Sequence, residues 1–172
     1  MVEKKNQQSD SDDEKSSKID PIYSKFRFYR NPMPQAGDIT RVVTTQVMEL
    51  GANVQLLEYG NIEGFIQLTQ ATNKRIRSIH KLLKIGKREY MEVLRVDETK
   101  QYVDLSKKSL KPEEVDEADK NYKKCKKVHE IMIECAVKLK TPIADLYEQW
   151  GWDLYDQCGY EHAYDALRVT IQ

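Results

Sequence analysis

The sequence predicts a five-stranded β-barrel followed by an all-helical module. Short β-prone runs, which are β-branched, apolar or alternate between apolar and polar residues, indicate the strands, and Gly51 lies between the first two of these runs. After Lys111-Pro112 the period changes, and apolar residues recur at intervals of three and four, as on the buried face of a helix. This change divides the chain into a barrel, residues 19–110, and a helical module, residues 111–172.

The barrel prediction depends on five β-prone runs and on the connections between them. Gly51 is expected at a bulge or turn, where a positive φ or a tight approach favours glycine. A longer polar connection joins the third strand to the fourth and is predicted to include a helical turn. These features predict a closed Greek-key barrel of the oligonucleotide-binding type, in which closure removes the exposed sheet edges. The strands are expected at residues 39–50, 53–58, 63–68, 89–96 and 101–105, the connection at 69–88 and its helical turn at 79–83.

The helical module is predicted to contain three helices. The first has an apolar stripe from Val115 to Leu139, with Pro112 at its first position. Thr141 is expected to cap the second helix, with Pro142 as its first residue and an apolar face over residues 143–154. Gly159 is expected to end that helix, and residues 161–169 are predicted as the third. The aromatic side chains of this module are expected to form its core.

Residues 1–18 are predicted to be a disordered N-terminal extension. They contain no aromatic residue, and Met1 and Val2 are the apolar ones. Such a segment cannot bury enough apolar surface to offset the entropy lost on ordering.

The composition excludes several classes of function. Lys plus Arg and Asp plus Glu both total 28, so net charge does not indicate a partner. No apolar run approaches the roughly 20 residues of a membrane span, so we expect a soluble cytoplasmic protein without a membrane partner. The cysteines and histidines lack metal-binding spacing, and no phosphate-binding G-x-x-x-x-G-K-[ST] loop is present. We therefore expect no metal, no cofactor and no enzymatic activity.

A basic stretch follows the third predicted strand. Seven cations fall in this stretch with no acidic residue among them, which indicates a local positive field suited to phosphates or acidic protein surfaces. A solvated lysine-rich loop would have the same composition. Tyr59 and Phe65 lie where such barrels stack bases, although packing would explain them as well. The candidate contact residues for RNA or an acidic partner are Lys74, Arg75, Arg77, Lys81, Lys84, Lys87 and Arg88.

Four motifs carry a resemblance to a known family. They are Asn-Ile-Glu-Gly at 61–64, Arg-Ile-Arg-Ser-Ile at 75–79, Arg-Val-Asp at 95–97 and Asp-Leu-Ser-Lys at 104–107. In this order they resemble the alpha subunit of eukaryotic translation initiation factor 2, which begins with an S1-type barrel and a helical domain. The resemblance covers residues 26–169. Members of the family continue into a C-terminal domain without a counterpart here, so we expect the chain to be the N-terminal two-thirds of such a protein.

The resemblance implies a non-enzymatic, regulatory role in protein synthesis. In the family, the alpha subunit belongs to the GTP-dependent carrier that brings initiator methionyl-tRNA to the small ribosomal subunit and mRNA. The implied partners are the beta and gamma subunits, with gamma bound through the missing C-terminal domain. Stress-activated protein kinases phosphorylate one loop serine, and the product inhibits the guanine-nucleotide exchange factor.

The resemblance also implies particular site residues. Alignment on the motif at 75–79 places the phosphorylated residue at Thr72, with Thr69 and Ser78 as rival acceptors. The kinase-docking segment of the family matches Lys100, Tyr102, Val103 and Asp104, and Gln101 stands where the family commonly has glycine.

Two alternatives to the regulatory subunit remain open. One is a stand-alone S1-type RNA-binding protein. The other is a kinase pseudosubstrate mimic, although mimics of this family typically lack the helical module that residues 112–169 predict here.

Overall fold

The computed structural model describes residues 25–72, 82–156 and 163–170. The extension expected to be disordered, residues 1–18, lies outside these ranges. So do Gly159 and most of the helical turn expected at residues 79–83.

The first module is a closed five-stranded barrel, as predicted. Its strands follow one another in space as β1-β2-β3-β5-β4, and β4 pairs with β1 to complete the closure. The pairing between β3 and β5 is parallel, while all the other pairings are antiparallel. The strands are β1 (Ile39–Val47), β2 (Gly51–Leu56), β3 (Ile62–Gln67), β4 (Arg88–Asp97) and β5 (Tyr102–Ser106).

Alternate residues of all five strands fill the barrel interior. Burying each such side chain stabilises the folded chain by about 1.5–3 kcal/mol. The closed barrel is therefore stabilised by this layer of apolar side chains. The fully buried residues include Val42, Val54, Leu56, Ile66, Met91, Val93, Val103 and Leu105.

The connections differ from the sequence prediction at three points. The first strand ends at Val47 instead of residue 50, and its bulge lies between Thr44 and Gln46. Gly51 lies at the turn, one of its two expected positions, and its carbonyl accepts from Met48 N at 2.8 Å. A 3₁₀ turn, Leu57–Tyr59, joins β2 to β3. A one-turn helix, α1 (Leu68–Ala71), stands at the beginning of the predicted polar connection, where Leu68 N donates to Leu50 O at 2.8 Å and Lys107 N donates to Gln70 O at 2.9 Å.

The helical module begins with the long predicted helix, α2 (Pro112–Leu139). Pro112 occupies the first turn as expected, and the backbone N–H of Lys111 donates to Glu114 Oε2 at 3.0 Å. The helix ends at Leu139, and the next residue, Lys140, has a left-handed φ of 54°. Among the described residues no helix has the length and apolar character to cross a membrane.

The second predicted helix is irregular, and its predicted cap is wrong. Pro142 occupies the N-cap of α3 (Ile143–Leu146), while the Thr141 hydroxyl donates backwards to the Leu139 carbonyl at 3.3 Å. A π-helical segment, Tyr147–Gly151, follows before α4 (Asp153–Asp156). The last helix is α5 (Ala163–Thr170), close to the predicted residues 161–169.

A segment upstream of β1 packs against both modules. We call residues 25–34 the strap. Its Phe26 ring lies 5.0 Å from Tyr147 in the helical core, and its Tyr29 ring lies 5.3 Å from Tyr59 in the barrel. The strap therefore connects two hydrophobic cores that are consecutive in sequence.

Candidate functional site

Thr72 lies directly after α1, at one end of the barrel. Its neighbour Ala71 is buried in the barrel core, whereas Thr72 is half-buried and extended. The placement leaves Thr72 outside the hydrophobic interior. Of its rivals, Thr69 is exposed and donates to Gln67 Oε1 at 3.4 Å, and Ser78 lies outside the described residues.

The end of β5 fixes the position of α1. The backbone N–H of Lys107 donates to the Gln70 carbonyl at 2.9 Å. The Ser106 hydroxyl lies 3.1 Å from Gln70 Oε1 and 3.3 Å from the same carbonyl. Because Gln70 is only two residues from Thr72, these bonds determine where the Thr72 segment leaves the barrel.

The structure describes three of the seven predicted cationic contact residues. Lys84, Lys87 and Arg88 are exposed. The turn that presents them is held against β1 by bonds from Gly86 N to Thr44 O at 2.8 Å and from Thr44 N to Lys87 O at 3.1 Å. The other four, Lys74, Arg75, Arg77 and Lys81, lie outside the described residues.

One cation at this end was missed as a candidate contact. Lys107 Nζ lies 2.8 Å from Glu89 Oε1, and Lys87 Nζ lies 2.7 Å from the same oxygen. The sequence motif at 104–107 contains Lys107, but nothing in the spacing indicates that it meets Glu89. Strand pairing brings them together: β5 lies beside β4, and Ser106 pairs with Glu92.

The predicted docking residues form a small surface cavity at the start of β5. Lys100, Tyr102 and Asp104 line a cavity of about 310 Å³ together with Arg95 and Asp97. Arg95 Nε lies 3.9 Å from Asp104 Oδ2, and Lys100 Nζ lies 3.9 Å from Asp97 Oδ2. Burial raises the pKa of the Tyr102 phenol, and the neighbouring carboxylates of Asp104 and Glu63 raise it further.

Within this segment, Val103 belongs to the barrel core and Gln101 belongs to the turn before β5. Val103 is fully buried in the barrel core, so it can orient its neighbours but cannot contact a partner. Gln101 has a φ of 50°, in the left-handed region that glycine occupies at low cost. The turn before β5 thus keeps the backbone conformation that the family's glycine would favour.

Tyr59 and Phe65 are not equivalent. Tyr59 is buried against Tyr29, so its ring packs within the molecule, as the packing alternative predicted. Phe65 is half-buried, and its ring lies against Gly51.

A buried polar cluster joins the barrel to α2 and the strap. Glu58 is 4% exposed and accepts from the Tyr29 hydroxyl at 2.6 Å, from Arg41 N at 2.9 Å and from the Thr40 hydroxyl at 3.3 Å. Burial raises the pKa of the Glu58 carboxyl, and these hydrogen bonds oppose the rise. Burial likewise raises the pKa of Tyr29, with the Glu58 charge adding to the effect. The sequence showed no sign of this cluster.

Within the described ranges, no three His, Cys, Asp or Glu side chains converge as they would around a metal ion. Cys135 is a free thiol, and Cys125 Sγ lies 3.6 Å from the Tyr29 hydroxyl.

Comparisons with known proteins identify a matching domain family and several similar proteins. The S1 RNA binding domain family matches residues 33–108, which span the barrel. Subunit 1 of eukaryotic translation initiation factor 2 from Dictyostelium discoideum is 39% identical over 150 residues, 84% of this chain. Its homologue from Arabidopsis thaliana is 38% identical over 145 residues, and that from Plasmodium falciparum is 36% identical over 142 residues.

The chain is a homologue of the alpha subunits of translation initiation factor 2. The similarity extends through both modules, beyond the S1 barrel itself. The chain spans 43% of the length of the Dictyostelium discoideum relative and 42% of the Arabidopsis thaliana one.

Solved structures of the archaeal alpha subunits share the fold. The intact alpha subunit from Pyrococcus abyssi superimposes with a TM-score of 0.74 at 22% identity, covering 83% of this chain and 54% of that one. The alpha subunit in the a/eIF2alpha–aDim2p–rRNA complex of Pyrococcus horikoshii OT3 gives 0.69 at 23% identity, covering 78% and 79%. Both likenesses include the barrel and the helical module.

Proposed function

We propose that this chain is the regulatory part of an initiator methionyl-tRNA carrier, controlled by phosphorylation of Thr72. The observation that carries the proposal is homology to alpha subunits over 84% of the chain, through both modules. In this proposal the partners are the beta and gamma subunits, initiator tRNA, mRNA, the small ribosomal subunit and the guanine-nucleotide exchange factor. The site of action is the cytoplasm, and stress-activated kinases are the modifying enzymes.

The geometry supports recognition by a kinase at two places. The docking cavity lies at the start of β5, while the end of β5 is hydrogen-bonded to Gln70, next to Thr72. Four residue steps along a strand, from Tyr102 to Ser106, span about 13 Å. A kinase bound at the cavity therefore has the Thr72 segment within reach on the neighbouring part of the barrel surface.

A phosphate on Thr72 would change the charge of a surface that already carries ordered cations. It adds a charge of about −1.5 to −2 and strong acceptor oxygens. Lys107 and Lys87 flank Glu89 at the same end of the barrel. We propose that the exchange factor distinguishes the two forms of this end by that charge.

Phosphosite mapping after incubation with a stress-activated kinase of this family tests the assignment. We expect one phosphate per chain at Thr72 and none in Thr72→Ala. Thr69→Ala is the matched control, because it removes an exposed hydroxyl from the same segment and should leave phosphate incorporation unchanged. Undiminished incorporation in Thr72→Ala would refute the site.

A second substitution tests whether the docking cavity contributes to kinase recognition. Tyr102→Ala should lower the rate of Thr72 phosphorylation without changing the site. A short synthetic peptide that spans Thr72 lacks the cavity, so its phosphorylation rate should be lower than that of the 172-residue chain. An unchanged rate for Tyr102→Ala in the 172-residue chain would remove the cavity from the proposal.

A second candidate function is direct RNA binding, which the S1 match at residues 33–108 favours. This candidate predicts that the 172-residue chain alone binds single-stranded RNA with an affinity that falls as salt rises. Replacing exposed Lys84 with Glu should weaken that binding more than Lys138→Glu, which makes the same charge change on the exposed surface of α2. No measurable binding at low salt would eliminate the candidate and leave the regulatory role unaffected.

A further inference from the structure

An ion cluster lies at the end of the barrel from which the Thr72 segment leaves. Lys107 follows β5, Lys87 precedes β4, and both ammoniums contact Glu89 Oε1, at 2.8 and 2.7 Å. The side chains of Lys107 and Glu89 are only 21% and 14% exposed. Glu89 Oε2 is buried and makes no hydrogen bond to any residue that the structure describes. Two ammoniums that share one carboxylate leave this cluster with one positive charge in excess.

An ion pair between neighbouring strands has an ordinary explanation, because opposite charges across a sheet stabilise it. The position of Lys107 provides a second observation. Its backbone N–H donates to the Gln70 carbonyl at 2.9 Å, and the Ser106 hydroxyl lies 3.1 Å from Gln70 Oε1. The end of β5 therefore places Lys107 directly beside the short segment that leads to Thr72.

The separation of Lys107 from Thr72 suits a contact between their side chains. The hydrogen bond from Lys107 N to Gln70 O and the two residues of chain from Gln70 to Thr72 together span at most about 10 Å. A lysine ammonium stands at the end of a flexible four-carbon stem, and a phosphate lengthens the side chain of threonine. The two side chains can therefore cover this distance without any movement of β5.

We propose that Lys107 binds the phosphate of phosphorylated Thr72 within the same chain. The inference rests on the proposed modification of Thr72 and adds the group that receives it. The phosphate carries a charge of about −1.5 to −2, so it competes with the single charge of the Glu89 carboxylate for the Lys107 ammonium. Glu89 retains Lys87 as its partner, so the exchange leaves no carboxylate unpaired.

Lys107 suits this role better than the exposed cation beside it. The side chain of Lys87 is 51% exposed, and salt screens an exposed pair more than a partly buried one. The turn that carries Lys87 is bonded to β1, whereas the backbone of Lys107 is bonded to Gln70. Phosphorylation then draws the Thr72 side chain towards β5, and a partner can recognise the altered surface.

The 31P signal of phosphothreonine at position 72 of the 172-residue chain provides the test. The phosphorylated residue is introduced during translation, without a kinase, and its signal is followed around the second phosphate pKa of about 6. Lys107→Gln should raise the pH midpoint of this titration by about 0.5 pH unit, the effect of one partly exposed ion pair. Lys107→Arg keeps the cation and should restore the midpoint. Glu89→Gln removes the competing carboxylate and should lower it.

Lys127→Gln is the matched control, because it removes an exposed ammonium from α2 and changes the net charge equally. Its midpoint should stay within about 0.1 pH unit of the wild-type value, since salt screens distant charges. Equal midpoints for wild type and Lys107→Gln would overturn the proposal, and so would equal rises in Lys107→Gln and Lys127→Gln. If amide spectra show Lys107→Gln to be unfolded, an unchanged midpoint in Glu89→Gln would overturn it instead. Because no kinase is used, these outcomes are independent of whether a stress-activated kinase recognises Thr72.

Discussion

At the scale of single residues, Arg41 illustrates how a charged side chain becomes part of a core. It lies on β1 beneath α2 and is 5% exposed. Its guanidinium carbon lies 4.6 Å from the Tyr122 ring centre and 5.7 Å from that of Tyr90, and Nη1 lies 4.0 Å from Asp119 Oδ1. A planar guanidinium can stack between rings while its edge meets a carboxylate, which a lysine ammonium cannot do.

The buried carboxyl of Glu58 predicts a pH dependence of stability. Burial raises its pKa above the ordinary value of 4.5 in the folded chain. The folded chain therefore holds the proton at a pH where the unfolded chain has released it, and this contribution is lost as the pH rises from 4.5 through the raised pKa. In Glu58→Gln that loss is absent, so the free energy of unfolding of the variant relative to wild type should rise over this window.

Urea unfolding at several pH values from 4 to 8 measures this difference. Glu148→Gln is the control, because it removes an exposed carboxyl and changes the side-chain chemistry in the same way. Parallel curves for Glu58→Gln and wild type would contradict the prediction.

Gln101 predicts a stabilising substitution. Its φ of 50° costs a residue with a Cβ about 1 kcal/mol that glycine avoids. Gln101→Gly should therefore raise the free energy of unfolding by about 1 kcal/mol. Glu98→Gly, in the same turn but without a positive φ, should not stabilise, and equal unfolding midpoints for Gln101→Gly and wild type would be the contrary result.

At the scale of elements, the β2–β3 hairpin depends on close contact between strands. Gly51 pairs with Gln67, and a Cβ at Gly51 would lie 2.3 Å from Cζ of Phe65 and 2.4 Å from the Ile66 carbonyl oxygen. The Phe65 ring can turn aside, but a strand carbonyl cannot move without breaking the ladder. Gly51 is thus required because a Cβ has no room there, and its backbone is not left-handed.

Two glycine substitutions separate these two requirements. Gly51→Ala should destabilise the chain by about 3 kcal/mol, because the added methyl overlaps backbone. Gly86→Ala should lose only about 1 kcal/mol, because Gly86 has a φ of 80° but nothing within 4 Å of its added Cβ. Thermal or urea unfolding ranks the two, and a larger loss at Gly86 would reverse the explanation.

At the scale of the whole molecule, the strap makes the barrel and the helical module share side chains. Phe28 is buried, its ring lies 6.0 Å from Tyr122 and 4.9 Å from His129, and its backbone N–H donates to the Glu58 carbonyl at 2.8 Å. Phe28 therefore contacts α2 with its ring and the barrel with its backbone. We expect the two modules to unfold together because of this shared layer.

Phe28→Ala tests the coupling. Removing a buried phenyl ring should lower stability by about 3–5 kcal/mol. It should also separate two transitions that coincide in wild type: tryptophan fluorescence, which reports the helical module, and hydrogen exchange of β2 amides, which reports the barrel. Phe65→Ala, on the barrel alone, should lower stability without separating them. Coincident transitions in Phe28→Ala would place the coupling elsewhere.

Local pattern was enough to predict the elements and the family. The β-branched, apolar and alternating runs correspond to all five strands, and the apolar stripe from Val115 to Leu139 corresponds to α2, because these patterns depend on residues within one element. The motifs at 61–64 and 104–107 indicated the family for the same reason. Thr72 and the docking residues came from that resemblance, and their functions remain proposals.

Tertiary structure alone decided which distant residues meet. Strand pairing places Lys107 beside Glu89, and α1 lies where Ser106 and Lys107 donate hydrogen bonds to Gln70. The strap and α2 together enclose Glu58 and Arg41. None of these contacts has a sequence signature, because each depends on which faces of separate elements pack together, and the free energy of that packing is absent from any short stretch of chain.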